Sequence, residues 1–260
     1  MTDLFHYTIH LADNALIIGH RNSEWTGHGP ILEQDIAISN IALDLIGQAR
    51  NFYQYAAQLP EAANHFTSDV ISEDTLAYLR DGNEFRNCLL VEQPNGDWGA
   101  TILRQFFFSA YQFYFYGQLQ HSKDEILAAI AAKALKEVTY HLRWSAEWVI
   151  RLGDGTEESH TRMQKAMDDL WKFTGELLQP APYEIQLAKE GIAVDLNAIR
   201  SQWIEKVQSV LAEANLAGEE EKRAKAWMQT GGKEGRHTEH LGYILAEMQF
   251  LQRVYPGATW

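Results

Sequence analysis

The residues best placed to do chemistry lie in Glu137-Val-Thr-Tyr140-His141, inside a long apolar run. Helix neighbours lie three and four residues apart, so Glu137, Tyr140 and His141 share one face. A carboxylate and an imidazole on such a face suggest metal ligation. Di-metal carboxylate proteins build their centres inside helical bundles from Glu-x-x-His on two helices and one Glu on each of two more. Here position i+3 holds Tyr140, and the histidine follows one step later.

Such a centre needs about six ligands from four helices, with positions left open for oxygen. Asp44 could supply one, but its neighbour one turn on is Gln48, a neutral amide. Glu84 opens Glu84-Phe-Arg-Asn87, with asparagine where histidine is required. The aromatic helix offers Gln105 and Gln112 and no inward carboxylate. We therefore read Asp44, Glu84, Glu137 and His141 as degenerate ligand positions, with Glu137 and His141 expected to form a satisfied buried polar pair. No catalytic, metal or cofactor-binding residue is assigned on this reading. The alternative is a di-metal oxidase or oxygenase active in its own right, using Asp44, Glu137 and His141. A helical hydrolase or a CoA-binding protein has no motif behind it.

Two further clusters invite a site. His237-Thr-Glu239-His240 with Glu247 could be half a metal centre, although histidines exposed or at an interface explain it as well. Gly231-Gly232-Lys233 could cradle a phosphate, but it lacks the Walker spacing and any preceding strand, and it reads as a flexible loop.

The elements that must position these residues are helical throughout. Apolar spacing marks helices over residues 4–21 and 31–59, with Pro30 suited to the first turn of the second and Gly47 to close approach of another helix. Asp44 and Gln48 fall on the inward side of the second helix, with Gln34, Ala37, Ile41 and Phe52. Shorter helices are read at 73–80 and 84–93, then long ones at 99–121 and 125–152, the last holding the Glu137 motif. The candidate bundle helices are 31–59, 84–93, 99–121 and 125–152. Beyond them lie helices at 157–178, 183–194, 195–215 (with Asp195 as N-cap), 219–228 and 237–254. No repeat or linker divides the chain. The expected fold is one all-α domain over residues 1–260, a long-helix bundle with additional C-terminal helices.

Composition narrows the function. A net charge of −13 argues against nucleic-acid and anionic-membrane surfaces, which need clustered Lys and Arg. Eight aromatics fall between Phe106 and Tyr116, but Arg104, Gln105, Ser109 and Gln112 interrupt that stretch, so it reads as a buried helix rather than a membrane span. The single cysteine, Cys88, cannot build a disulfide within the chain or hold an iron–sulfur cluster, and is placed in the core. The N-terminus shows no signal-peptide pattern, so a soluble, cytoplasmic protein is expected.

Several blocks carry a resemblance. Asp44-Leu-Ile-Gly-Gln-Ala-Arg50-Asn-Phe, Leu90-Val-Glu-Gln-Pro-Asn-Gly96, Lys136-Glu-Val-Thr-Tyr-His-Leu-Arg143, Glu190-Gly-Ile-Ala-Val194 and Thr230-Gly-Gly-Lys233 are the first of them. His237-Thr-Glu-His-Leu-Gly242, Leu245-Ala-Glu-Met-Gln249 and Leu251-Gln-Arg253 follow, and Asp13-Asn14 with Glu24-Trp25 extend the likeness forward. Together they resemble the structural-subunit family of the bacterial ring 1,2-phenylacetyl-CoA epoxidase complex. The resemblance implies a ferritin-like four-helix bundle in a multicomponent oxygenase of phenylacetate degradation. It implies a homologous catalytic subunit that holds the di-iron centre and binds the CoA ester. A reductase would draw electrons from NADPH through flavin and an iron–sulfur cluster. This chain is then the structural partner, without a cofactor of its own, in a hetero-oligomer with the catalytic subunit and with self-association. The family carries no catalytic residue onto this structural partner.

Overall fold

The computed structural model describes residues 2–64, 71–216 and 227–258. Helix α1 (Thr2–Ser23) is followed through a turn-rich connection by α2 (Leu32–Gln58). The pair is antiparallel: Gly19 of α1 faces Ile46 of α2, whereas Asp13 hydrogen-bonds Tyr53 further along. The close approach falls at Gly19, where an added Cβ would stand 3.1 Å from Ile46 Cγ1. Gly47, expected to play that part, faces open space. Pro30 precedes the N-cap Ile31, so it lies before the first turn rather than in it.

After α3 (Glu73–Tyr78) and α4 (Leu89–Glu92) come the two other long helices, α5 (Trp98–Leu119) and α6 (Glu125–Gly153). Aspartates start both. Asp97 accepts from Ala100 N, and Asp124 accepts from Ile126 N and Leu127 N; each such cap contributes about 1 kcal/mol. The short link between them makes α5 and α6 the second close pair. Phe106, Phe107, Phe108, Tyr111 and Phe115 are all buried, because α5 has neighbours on every side. α7 (Glu157–Leu170), α8 (Pro182–Glu190) and α9 (Leu196–Glu213) follow, with α7 and α9 packed on α5 and α8 on α1. α10 (Glu239–Met248) and α11 (Phe250–Val254) close the described chain.

The bundle is therefore α1, α2, α5 and α6, and the expectation that residues 84–93 supply one of its helices is corrected. Residues 82–84 form a 3-10 turn, 85–88 are extended, and only Leu89–Glu92 is α-helical. Tertiary hydrogen bonds explain the departure. Asp13 accepts from Arg86 N at 2.7 Å, Asn14 Oδ1 accepts from Cys88 N at 2.8 Å, and Arg86 O meets His10 Nδ1 at 2.7 Å. With its amides satisfied by α1 side chains, this segment has no need of helical hydrogen bonds.

The stretch read as one helix over 157–178 is α7 followed by two 3-10 turns, Trp171–Phe173 and Gly175–Leu178. The helix read at 237–254 begins only at Glu239 and breaks at Gln249. The helix read at 219–228 falls largely outside the described residues; Trp227 and Met228, which are described, have no regular structure. Asp195 caps α9 as expected, accepting from Asn197 N. Cys88 is fully buried. Among the described residues there is no strand, and no helix is long and apolar enough to cross a membrane.

Candidate functional site

Helices α2 and α6 meet along a seam bridged by side chains. Asp44 Oδ2 lies 3.0 Å from His141 Nε2, Gln48 Nε2 donates to Glu137 Oε2 at 2.9 Å, and Trp144 Nε1 donates to Gln34 Oε1 at 3.0 Å. The expected Glu137–His141 pair is thus replaced by two bonds that cross between helices, one turn apart. His141 and Gln48 are buried, whereas Glu137 is half-buried and the Asp44 side chain is 39% exposed. Helix phase explains the difference. Gln48 stands on the core line with Ile41 and Phe52, and Asp44 lies toward the solvent edge.

The core side of the seam is filled from α5. Gln112 Nε2 donates to Gln48 Oε1 at 3.4 Å, and Tyr116 OH donates to the same oxygen at 3.3 Å. Both ends of the Gln48 amide are therefore engaged. Burial raises the Tyr116 phenol above its ordinary pKa, and the nearby Glu137 carboxylate adds to the shift, so it is a neutral donor at physiological pH. Tyr116 is a seam residue that sequence reasoning missed; its place one turn beyond Gln112 on the aromatic helix was the available signal.

This donor set does not fit a di-metal centre. Two carboxylates and one imidazole line the seam, and an amide stands at its middle. Among the described residues no group of three or more His, Cys, Asp or Glu is placed to hold a metal ion. Glu84 is not part of the seam. Its carboxylate accepts from Asp81 N at 2.7 Å and closes the 82–84 turn. Two surface clefts of about 270 Å³ are lined in part by Glu184 and Asp195, and by Arg50 and Glu73; neither is lined by Asp44, Glu137 or His141.

The charged groups that the structure does bury lie elsewhere, and sequence reasoning found few of them. Asp13 of α1 pairs with Arg80, whose guanidinium also lies 4.1 Å from the Phe85 ring centroid. Burial works against the Arg80 charge, but the Asp13 carboxylate outweighs it and raises the pKa. Lys233 donates to Glu184 at 2.8 Å and to Gln179 O at 2.9 Å. Burial opposes both of these charges as well; their mutual attraction prevails, holding Lys233 up and Glu184 down. His10 Nε2 sits 3.9 Å from Glu184, yet burial lowers its pKa to about 4, which leaves it neutral.

The segment read as a flexible Gly231-Gly232-Lys233 loop is instead a buried 3-10 turn. A Cβ on Gly232 would stand 2.1 Å from Asn87 O, so only glycine fits beside that carbonyl. Gly231 N donates to Glu176 Oε1 at 2.7 Å, and with that amide occupied the turn is not a phosphate cradle. His237 is likewise not an exposed histidine. Its Nδ1 is 2.8 Å from Glu92 Oε2, its Nε2 is 3.0 Å from Phe85 O, and its side chain is 6% exposed. Burial lowers its pKa, but the Glu92 carboxylate prevails and raises it. With both nitrogens engaged, His237 offers no lone pair to a metal. His240 is half-buried and Glu247 exposed.

Comparison with known proteins covers the whole chain. Residues 1–260 match the family described as phenylacetic acid catabolic protein. The chain is 49% identical over 260 residues to a component of the 1,2-phenylacetyl-CoA epoxidase of Escherichia coli (strain K12), the one designated C, with 100% of each chain covered.

Proposed function

This chain belongs to the phenylacetic acid catabolic protein family, and we propose that it is the non-catalytic structural subunit of a phenylacetyl-CoA 1,2-epoxidase. On this reading it binds and stabilises a homologous catalytic subunit in a hetero-oligomer. Oxygen activation then belongs to the di-iron centre of that partner, and a reductase delivers electrons from NADPH through flavin and an iron–sulfur cluster.

The observation that carries the reading is Gln48. Its amide stands between Glu137 and the Gln112–Tyr116 pair, in the seam where a di-metal bundle would need a charged ligand. A neutral amide cannot offset the charge of two divalent ions, and the remaining donors number three. A bundle that keeps its fold while lacking the metal set still has a use, because binding the native partner stabilises it by mass action.

The test is iron per chain by mass spectrometry, after expression alone in iron-supplemented medium, followed by co-purification with the di-iron subunit. Near-zero iron with stable co-purification is expected. About two irons per chain, the stoichiometry of a complete centre, would overturn the reading in favour of an oxidase built on Asp44, Glu137 and His141.

A further inference from the structure

The C-terminal helices have a slender attachment to the rest of the chain. α10 buries Leu241, Ile244 and Leu245, and α11 buries no residue; Tyr243, Phe250, Leu251, Val254 and Tyr255 are exposed. At the far end, Gln249 and Arg253 both donate to Arg80 O; at the near end, His237 and Thr238 meet Glu92. Segments with so few buried contacts open at lower free energy than the core.

The near end is built around that one carboxylate. Glu92 Oε1 accepts from Thr238 N at 2.7 Å and from Thr238 Oγ1 at 2.8 Å. Glu92 Oε2 accepts from Asn87 Nδ2 at 2.8 Å and faces His237 Nδ1 at 2.8 Å, while His237 Nε2 faces Phe85 O at 3.0 Å. A neutral imidazole carries one N–H, so it donates to one of these oxygens and presents a lone pair to the other. A carbonyl, and a carboxylate that already holds three other donors, have no hydrogen to give in return. Only the imidazolium, with an N–H on each nitrogen, satisfies both contacts.

We propose that His237 is a proton latch: its imidazolium fastens α10 and α11 to the bundle, and loss of one ring proton releases them while the bundle stays folded. The charges around the ring act in both directions. Glu92 of α4 is in contact with it, and Asp13 of α1 adds a second negative charge, although Asp13 itself pairs with Arg80. Against them, Arg86 Nη1 donates to the same Phe85 carbonyl at 2.8 Å, and the Arg21 guanidinium donates to Glu92 O at 2.9 Å. The other neighbours are committed or turned outward. Glu84 binds the Asp81 amide, Lys233 pairs with Glu184 and Arg236 with Glu234; on α10, Glu239 is exposed and His240 half-buried. Burial opposes the imidazolium, but the Glu92 contact prevails and holds the folded pKa above the ordinary imidazole value. Stability from a raised folded pKa is present at low pH and lost as pH rises through that value, so the latch is closed at lower pH and opens as pH rises.

Amide hydrogen exchange of the full-length chain tests the latch, read by mass spectrometry at about pH 6 and about pH 9 and corrected for the intrinsic exchange rate. Protection of α10 and α11 should fall about tenfold for each unit by which the folded pKa of His237 exceeds the unfolded one, while protection of α5 and α6 holds. His237→Gln should show the lower protection of α10 and α11 at both pH values. Nitrogen NMR of the imidazole reads the proton directly, and both ring nitrogens should be protonated at about pH 6. A neutral His237 ring at that pH, or protection of α10 and α11 that stays level while the ring titrates, would overturn the proposal. Loss of protection in α5 and α6 over the same titration would also overturn it, because the opening would then be global. The NMR and wild-type exchange arms decide the matter even if the variant fails to fold.

Discussion

Replacing Lys233 by methionine tests whether the buried Lys233–Glu184 pair holds the C-terminal segment to the bundle. The side chains are 4% and 1% exposed. Methionine keeps most of the volume, so the loss is electrostatic. In the variant Glu184 retains one backbone donor, Ala181 N at 2.8 Å, and its Oε1 has no hydrogen-bond partner. Breaking a buried ion pair from one side costs about 3–5 kcal/mol. At about 2–4 °C per kcal/mol for a chain near this length, the midpoint should fall by about 6–20 °C. The deficit should also depend on pH. Without Lys233 the folded-state pKa values of Glu184 and His10 both rise, because the ammonium that held them down is gone. A raised folded pKa contributes stability at low pH that is lost as pH rises through it, so the deficit should grow as pH rises from about 4, where His10 titrates in the wild type. Urea denaturation of Lys233→Met, Glu184→Gln and the double variant measures this. The double variant should be more stable than Lys233→Met alone, since it leaves no unpaired charge. A single variant within about 1 kcal/mol of wild type, or a double variant no better than the single, would refute the reasoning.

Two other outcomes follow from the same packing. His237 has its folded pKa raised by Glu92 against the opposing effect of burial. The stability it contributes is fully present below its unfolded pKa of about 6.5 and disappears as pH rises through the folded value. The urea-derived stability difference between wild type and His237→Gln should therefore be larger near pH 6 than near pH 8.5, and equal differences would contradict the ion pair. Gly232→Ala should cost about 1–3 kcal/mol or more by overpacking against Asn87 O. Gly242→Ala, where an added Cβ meets nothing within 4 Å, should stabilise α10 by up to about 1 kcal/mol. Thermal denaturation that ranked the two alike would refute the close approach at Gly232.

Periodicity revealed the long helices because each has a continuous apolar stripe with a clear start. Asp97, Asp124 and Asp195 sit at their N-termini as the residue type requires. The seam was half legible. The types of Asp44, Gln48, Glu137 and His141 sufficed to count ligands, but not to pair them, because pairing depends on which residue of α6 lies level with which residue of α2. Helix α1 was recognised as a helix and missed as a bundle member, since nothing in its own sequence says what covers it. Residues 84–93 misled for a related reason. Their apolar pattern is real, but their backbone amides are taken by Asp13 and Asn14, some seventy positions earlier in the chain.

Those distant hydrogen bonds also give the buried carboxylates a structural task. Such groups in a cleft are ordinarily candidates for catalysis. In this chain, each of four buried carboxylates accepts from a backbone amide that no helix satisfies. Asp13 takes Arg86 N, Glu92 takes Thr238 N, Glu176 takes Leu89 N and Gly231 N, and Glu184 takes Ala181 N. An unpaired amide inside the core would cost about 1–3 kcal/mol, and a carboxylate binding several donors is held in one place. These carboxylates thus tie the irregular segments 85–89 and 231–238 to α1, to α4 and to the 175–178 turn. A carboxylate committed to backbone amides has few lone pairs left for a metal or a substrate proton. The seam follows the same rule at lower charge, with the Gln48 amide joining α2, α5 and α6 through hydrogen bonds alone.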